Sequence, residues 1–593
     1  MSLTTAPEEL GLQHAPESTA QHNTEIISSC SDTQNYRDQQ HTTSLTDQTN
    51  LLPFKKIIVC FLGLALCIVV STLDSVIVAT AIPTISAAFD AGSIVSWVPS
   101  AYLLTSTSFQ PLYGRLSDIF GRKAAISVAM LVFMLGNLLA GFSRTIIQLI
   151  VFRGIAGAGG GGIISMAQIV ISDIVSLRDR GKYQGIIGVV IALGYAVGPL
   201  IGGSLAQNVS WRWCFWICIP VSGCAMAVVI FILPLKPVKG NMTGKLLSVD
   251  FFGAVLTLVG CTLVILPLIW GGVTFPWGSA VVLAPLLSGC LVVVLFCIWE
   301  WKGARLPIVP MYIFKHATVT GVYITMFVNG FVFFSSLYYL PQYFQVVLGY
   351  DPVGAGVFLI PVLVSQMVLS WIAGVIVSRT GRYRSIIHSG FAIWSISCGL
   401  TSTLTPHSHK AEIVIFMLLA GSGAGQTLQT TTVAAQASVS RRDMSVVTAF
   451  RNFIRLLGGT LALALGSTIL NNSLRSAMSS LEYPSVLTSR IVDNPALLST
   501  PTALDISASD ASFILNAGYT KGFRTVFILN AALTAVATIA SITLIKHKDL
   551  NRGDENNLKA ATSEVNKGED EMKMYPKVTS NLAKVGMAGD KEV

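Results

Sequence analysis

The sequence is short of charged residues. Of its 593 residues only 12% are Asp, Glu, Lys or Arg, while 52% are hydrophobic, whereas soluble domains carry about 25% charged residues. This shortage excludes a soluble globular protein, because too few polar side chains remain to cover a surface in water. The net charge of +9 comes from residues in short loops rather than from a basic run or face, so we expect no nucleic-acid partner.

Paired cysteines and a nucleotide-binding loop are also missing. All ten cysteines except Cys30 lie within or at the edges of apolar segments and form no CxxC pair, which indicates small packing residues rather than metal ligands or disulfides. The glycine-rich run 157–162 lacks the Lys-Ser/Thr ending of a phosphate loop. We therefore expect no metal, no cofactor, no ATPase and no enzyme activity, and energy from an ion gradient.

The sequence is rich in long apolar segments. Fourteen of them, from Ile57–Ile82 to Gly522–Ile545, are long enough to cross a bilayer as helices. The sequence thus predicts an all-α integral membrane protein with 14 transmembrane helices. Lys and Arg concentrate in alternate loops, which predicts that both termini are cytoplasmic. The polar tails 1–54 and 546–593 are expected to be disordered, and nothing in the first tail resembles a cleaved signal.

One connection, residues 471–521, is much longer than the others and is predicted to lie outside the cell or in a lumen. It begins with Asn471-Asn472-Ser473, an acceptor sequence for N-glycosylation. Asn471 is therefore a candidate glycosylation site close to the membrane.

A ten-residue motif, 114–123, fills the short connection between the second and third segments. Its glycines permit a tight chain reversal, and its acid can lie against a helix N-terminus or basic residues. A related pattern at residues 374–382 indicates that one half of the chain duplicates the other, as in alternating-access transporters. The motif residues are Gly114, Asp118, Gly121, Arg122 and Lys123.

The duplication predicts a domain plan. We expect a six-helix bundle at 55–235, a linker with transmembrane helices 7 and 8 at 236–316, and a second six-helix bundle at 317–545. The acid of the first copy is replaced by Ser378 in the second, so the two halves differ in charge.

The fifth segment carries glycines and a proline at regular spacing. Glycines at such spacing let helices approach closely, and a proline within a helix removes a backbone hydrogen bond and bends it. The residues are Gly185, Gly194, Gly198, Pro199, Gly202 and Gly203.

On these two motifs the chain resembles the major facilitator superfamily, and in particular its fourteen-span drug:proton antiporter branch. The stretch 172–186 is similar to fungal members of that branch. The resemblance implies two six-helix bundles with two inserted helices, a small-molecule substrate, protons as coupling ions and function as a monomer. It also assigns 114–123 to a gating loop and the fifth-segment pattern to the antiporter motif. The family commonly has a basic residue where this chain has Ile119.

Asp74 lies within the first apolar segment and Arg153 within the fourth. Charges inside a bilayer are costly and usually functional. At 1.5 Å per residue both lie about 10 Å from the outer boundary, close enough in depth to pair, and the resemblance places both helices at a central cavity. If the hydration of an aspartate exposed to that cavity changes with conformation, its proton affinity changes too. The alternative is a pair that only fixes the packing of two helices.

Polar side chains in other segments are candidates for a substrate cavity. The resemblance places their helices at the cavity, and they suit an amphiphilic organic molecule better than a small ion, although each could instead form an interhelical hydrogen bond. Arg451 and Arg455 lie on one helix face and indicate either an anion-attracting vestibule or snorkelling to headgroups. The candidates are Gln110, Asn329, Tyr338, Gln342, Gln366, Gln426, Gln429 and Arg455.

Taken together, the sequence predicts a fungal-type, proton-coupled exporter of an amphiphilic compound, such as a drug, toxin, secondary metabolite or glycolipid, in the plasma membrane. One alternative is a vacuolar transporter of basic amino acids. Another, of a different class, is a substrate-sensing receptor that keeps the fold and no longer transports.

Overall fold

The computed structural model of the chain describes residues 48–550 apart from gaps at 50, 92–93, 96, 234, 236–237, 239–240, 273–274, 482, 494–497 and 499–505. Most of the two predicted tails therefore lies outside the described residues. The described part is helical and contains no β-strand, only an isolated bridge between Gly271 and Phe275.

Fourteen long helices occur in the described residues, in the order of the predicted segments. They are α1 (Phe54–Phe89), α2 (Trp97–Phe120), α3 (Arg122–Gly141), α4 (Ile146–Ile174), α5 (Arg180–Asn208), α6 (Cys218–Phe231, preceded by the short turn Trp213–Trp216), α7 (Phe251–Trp270), α8 (Ala280–Lys302), α9 (Ala317–Val346), α10 (Ile360–Thr380), α11 (Tyr383–Thr401), α12 (Lys410–Leu428, continued by Thr430–Ala437), α13 (Met444–Ser479) and α14 (Lys521–Leu544).

Twelve helical stretches of the described chain are long and apolar enough to cross a membrane. The two long helices outside that set are α2 and α11. Helix α2 buries a run of polar residues, Ser106, Thr107, Ser108 and Gln110, against its neighbours, and α11 carries Arg384 and several serines. The multi-span membrane architecture is thus confirmed, while the prediction of fourteen spans is confirmed for twelve.

The helices pack in two sets that touch along two seams. In the first half α1 packs on α5, and α2 and α3 pack on α4; in the second half α9 packs on α13, α10 on α12, and α11 on α12 and α14. The seams between the halves are α5 with α10 and α2 with α13. Helices α7 and α8 pair with each other, and most of α8 is exposed. Exposed apolar side chains of this kind suit contact with lipid rather than with water.

Glycine allows the chain to reverse at equivalent places in the two halves. Gly121, between α2 and α3, has φ of +100°, and Gly381, between α10 and α11, has φ of +74°, values that favour residues without a side chain. The predicted role of Gly114 in the turn is wrong, because it lies inside α2. A Cβ there would come within 2.9 Å of the Ala449 side chain, so the position is kept small by contact with α13.

The predicted long loop is largely helical where the structure describes it. Helix α13 continues to Ser479 instead of ending at Leu470, because Leu474, Ala477 and Met478 remain buried. Two short helices, Ser485–Asp493 and Ala508–Phe513, and the π-helical turn Ile514–Thr520 follow. Asn471 lies inside α13, half-buried, with its amide donating to the Gly272 carbonyl at 3.5 Å. Glycosylation there stays a prediction.

Candidate functional site

Asp74 and Arg153 meet inside the first half. One guanidinium nitrogen, Nη1 of Arg153, donates to both carboxylate oxygens of Asp74 at 3.0 and 2.9 Å, and Nη2 donates to the Asp74 backbone carbonyl at 3.4 Å. The side chains are 0% and 1% exposed. The depth argument from sequence therefore predicted two residues that the fold brings into contact.

The surroundings of the pair seal it. Nη1 of Arg153 also donates to Oδ1 of Asn137 at 3.2 Å, and the guanidinium carbon lies 4.4 Å from the Tyr102 ring centre and 5.4 Å from that of Phe215. Asp74 was expected to face an open cavity, and in this conformation it does not, because helices α1 to α4 and α6 enclose it. Sequence reasoning missed Asn137, although an amide in the middle of apolar α3 was a usable signal.

The 114–123 motif forms a charge network at one end of the bundle, which we call the motif end. Arg122 donates through Nη1 to Asp118 at 2.5 Å and through Nε to Asp173 at 2.7 Å. Arg115 lies 3.5 Å from the Asp118 carboxylate. All four side chains are buried, whereas Lys123 is only half-buried. Buried ions need such partners, since an unpaired one is costly.

The charge network at the motif end also contacts the second half of the chain. The hydroxyl of Ser445, at the start of α13, donates to both carboxylate oxygens of Asp118 at 2.7 Å, where the positive end of the helix dipole adds to the attraction. The side chain of Gln48 donates to the carbonyls of Ser117 and Asp118 and accepts from the Arg122 amide. Asp118 thus lies against a helix N-terminus and a basic residue together.

Sequence reasoning missed Asp173, Ser445 and Gln48. Asp173 lies at the edge of the fourth apolar segment, and Asp74 was the acid considered within the apolar segments. Helix α4 continues to Ile174, so Asp173 is a second buried acid. A charged residue at the edge of an apolar segment was the signal.

The segment after α8 bridges the same end. Nε of Arg115 donates to the Pro307 carbonyl at 2.7 Å, and the Tyr312 hydroxyl donates to Asp443 at 2.5 Å. Partial burial and the Asp443 carboxylate raise the pKa of Tyr312 to about 12, so the phenol remains a donor at neutral pH. The linker between the halves is thereby attached to both α2 and the start of α13.

Further polar contacts join the halves on the motif-end side of the bundle. Nε2 of Gln168 in α4 donates to Gln429 at 3.4 Å, Asn452 donates to Gln168 at 2.7 Å, and Ser172 donates to Gln436 at 2.9 Å. These contacts, with those of Asp118, close the motif end. Gln429 therefore lies between the halves, and its role in a substrate cavity stays a prediction.

The glycines of α5 pack against two neighbouring helices, α10 and α1. Gly185 packs on α10, where a Cβ would come within 2.8 Å of the Ser370 carbonyl. Gly194, Gly198 and Gly202 pack on α1, and a Cβ on Gly202 would clash with the Ile77 carbonyl. Gly203 differs, because the nearest atom to a Cβ there is 4.0 Å away. Helix α5 runs unbroken past Pro199 to Asn208.

The other predicted cavity residues divide into three groups. Asn329 and Arg455 meet, with Nε of Arg455 donating to Oδ1 of Asn329 at 3.0 Å. Gln110 and Gln366 are buried, and both polar atoms of the Gln366 amide have no partner in the described structure. Gln110 donates to the Gly161 carbonyl at 3.4 Å.

The third group lies apart from these. Gln426 accepts from Ser389 of α11 at 2.9 Å, Gln342 accepts from Tyr519 at 3.3 Å, and Tyr338 is 52% exposed. Gln426 is thus engaged within the second half, on the side of α12 that faces α11. The eight predicted residues do not form one cluster.

Comparison with known proteins identifies the family. The model of the Major Facilitator Superfamily matches residues 64–463. The chain is 37% identical to "Efflux pump dotC" of Dothistroma septosporum over 72% of this chain and 74% of that protein. It is 34% identical to "Citrate exporter 1" of Yarrowia lipolytica over 84% and 74%, and 34% identical to "Efflux pump FUS6" of Gibberella moniliformis over 74% and 78%.

A solved structure supports the fold. The proton:xylose symporter XylE, bound to 6-bromo-6-deoxy-D-glucose, superposes with a TM-score of 0.54 over 86% of this chain and 99% of that chain, at 15% identity. An identity this low bears on the fold alone. With the family match and the fungal relatives, it shows that the chain belongs to the major facilitator superfamily of membrane transporters.

Proposed function

We propose that the protein is a proton-coupled exporter that carries an amphiphilic organic compound out of the cytoplasm across the plasma membrane. The observation that carries the proposal is the sealed pair of Asp74 and Arg153, with its Nη1 contacts of 2.9 and 3.0 Å. Burying ionisable groups in a membrane domain costs free energy, and groups buried in this way usually have a functional role.

The pair offers a way to couple protons to conformation. While Asp74 is sealed against Arg153, the guanidinium donates to both carboxylate oxygens and the side chain is closed off from solvent. When α1 and α4 separate and water enters, Asp74 can take up a proton, and a neutral carboxyl no longer holds Arg153. Proton binding thus favours one arrangement of the helices and proton release favours the other, which is what antiport requires.

The two halves, 55–235 and 317–545, would rock about the α5–α10 and α2–α13 seams, with 236–316 as a linker. In the proposed orientation, with both termini in the cytoplasm, the motif end is the cytoplasmic end, and its contacts from Asp118 to Ser445 close the inner gate. Substrate would then leave on the opposite side.

The names of the relatives support the direction of transport. Two are called efflux pumps and one a citrate exporter, and the stretches they share with this chain cover about three quarters of each of them. The single chain holds the whole proposed pathway between its halves, so we propose that it works as a monomer.

Efflux of fluorescent dyes from yeast that lacks its own export pumps tests the proposal. Cells expressing the full chain would be loaded with the anion carboxyfluorescein or the cation rhodamine 6G. We expect efflux of at least one dye above the empty-vector rate, abolished by a protonophore. Efflux of neither dye above the empty vector, or efflux that a protonophore leaves unchanged, would contradict the proposal.

A further inference from the structure

Arg455 is a buried cation near mid-depth between the two halves. It lies eleven residues into α13, about 16 Å along the helix axis from its start, and is 9% exposed. Its backbone is pressed against Gly330 of α9, where any side chain would clash with the Arg455 carbonyl. The position of the guanidinium is therefore fixed by helix packing.

The guanidinium has one polar neighbour in each half. Nε donates to Oδ1 of Asn329 in α9 at 3.0 Å, and the phenol of Tyr195 in α5 interacts with the same group. Nη2 is buried and has no hydrogen-bond partner in the described structure. No carboxylate of the described residues lies within ion-pair distance of it.

Two other buried arginines, Arg153 and Arg122, each face a carboxylate. Arg451, like Arg455, has no carboxylate partner in the described structure, but its terminal nitrogens donate to Thr431, Asn452 and the Leu428 carbonyl. Arg451 lies one helical turn from Arg455, so a second positive charge is close by. An uncompensated buried charge is strongly unfavourable, and a ligand that supplied the negative charge would relieve it.

The side chains around Arg455 indicate what else such a ligand carries. The guanidinium carbon lies 4.9 Å from the ring centre of Phe333 and 5.5 Å from that of Phe334. Phe333 also lines a groove between α9, α10, α11 and α12 whose other walls are almost wholly apolar, among them Leu337, Leu363 and Trp394. Phe333 thus contacts the guanidinium and is also part of the wall of this apolar groove.

We propose that Arg455 binds an anionic group of the transported compound, a carboxylate on an aromatic or aliphatic body, with Nη2 donating to the anion and Phe333 contacting the body. Asn329 orients the guanidinium and is a positioning residue. This inference rests on the proposed export function, because it assigns the substrate class to the same pathway. A cationic substrate would instead meet two arginines with no carboxylate between them.

Binding of 2-naphthoate to the purified full chain in nanodiscs tests this, with the uncharged methyl ester of the same acid as the probe control. We expect naphthoate, and not the ester, to raise the melting temperature of the wild-type protein. Arg455→Gln should weaken naphthoate binding at least about tenfold. Arg524→Gln, which removes an exposed arginine at the start of α14, should bind naphthoate as the wild type does.

A second measurement guards against a variant that only misfolds. If the charge of Arg455 is uncompensated without substrate, ligand-free Arg455→Gln should melt at the same temperature as the wild type or higher. Asn329→Leu should weaken naphthoate binding less than Arg455→Gln does. Wild-type protein that naphthoate does not stabilise, equal stabilisation by the ester, or unchanged naphthoate binding in Arg455→Gln would each overturn the proposal.

The naphthoate-binding experiment and the dye-efflux experiment can fail independently of each other. If neither dye is exported, the proposed function fails. If a dye is exported with proton dependence while Arg455→Gln binds naphthoate normally, export stands and the anion site is overturned.

Discussion

Nη1 of Arg153 contacts both carboxylate oxygens of Asp74, at 3.0 and 2.9 Å, while Nη2 of the same guanidinium reaches the Asp74 backbone carbonyl. The arginine thereby holds the side chain and the main chain of one residue at once. Helices α1 and α4 are tied at this point, so a change in the charge of Asp74 would weaken the contact between them.

Asp74→Asn is expected to abolish proton-driven efflux, because the amide cannot exchange a proton. It should also lower stability, since removing one partner of a buried pair costs about 3–5 kcal/mol. The double variant Asp74→Asn with Arg153→Gln should recover much of that stability and none of the coupling. Protonophore-sensitive dye efflux and the melting temperature are the measurements, and Asp90→Asn, at the exposed end of α1, is the control. Efflux at the wild-type rate in Asp74→Asn would contradict the proton role.

Arg153→Lys should reduce efflux at least about tenfold despite keeping the charge. An ammonium group cannot contact the carboxylate, Asn137 and the Asp74 carbonyl in the planar arrangement that the guanidinium uses, nor stack on Tyr102 as well. The initial efflux rate at matched expression checks this. Arg144→Lys, at an exposed arginine before α4, serves as the control, and similar rates for the two variants would show that charge alone matters.

Gly202→Ala and Gly203→Ala should behave differently although both belong to the antiporter motif. A Cβ at Gly202 clashes with the Ile77 carbonyl of α1, whereas one at Gly203 has its nearest neighbour at 4.0 Å. Alanine favours a helix over glycine by about 1 kcal/mol, so Gly203→Ala should be neutral or slightly stabilising. Gly202→Ala should lower the melting temperature and efflux. Equal losses at both positions would show that the motif acts through something other than α1–α5 contact.

Asp118→Ala should loosen the motif end. It removes the acceptor of Ser445 and one carboxylate partner of Arg122, leaving that guanidinium with Asp173 and the Ser117 hydroxyl. Backbone hydrogen exchange at the start of α13 and the end of α2 should become faster. Asp351→Ala, which removes the cap of the short helix Pro352–Val357, should leave those two segments unchanged. Unaltered exchange in Asp118→Ala would mean that this network does not hold the halves together.

The pairing of Asp74 with Arg153 could be predicted from sequence because helix rise converts residue number into depth, and two opposite charges at one depth have few other partners. Gly121 could be predicted as well, since a very short connection between two helices requires a conformation that glycine adopts readily. The C-terminal end of α13 could not be predicted from sequence. It depends on the burial of Leu474 and Met478 against segments that follow later in the chain.

Hydropathy, helix length and glycine spacing are local properties, so the membrane-spanning architecture, the order of the helices and the two motifs could be predicted from the order of the amino acids. Which face of each helix meets another depends instead on the packing of the whole fold. That rotation brought Ser445 to Asp118 and Asn137 to Arg153, turned Gln426 toward α11, and left Nη2 of Arg455 without an acceptor. The physical reason is that a helix can turn about its axis without changing its hydropathy, so only packing against distant helices fixes which polar atoms find partners.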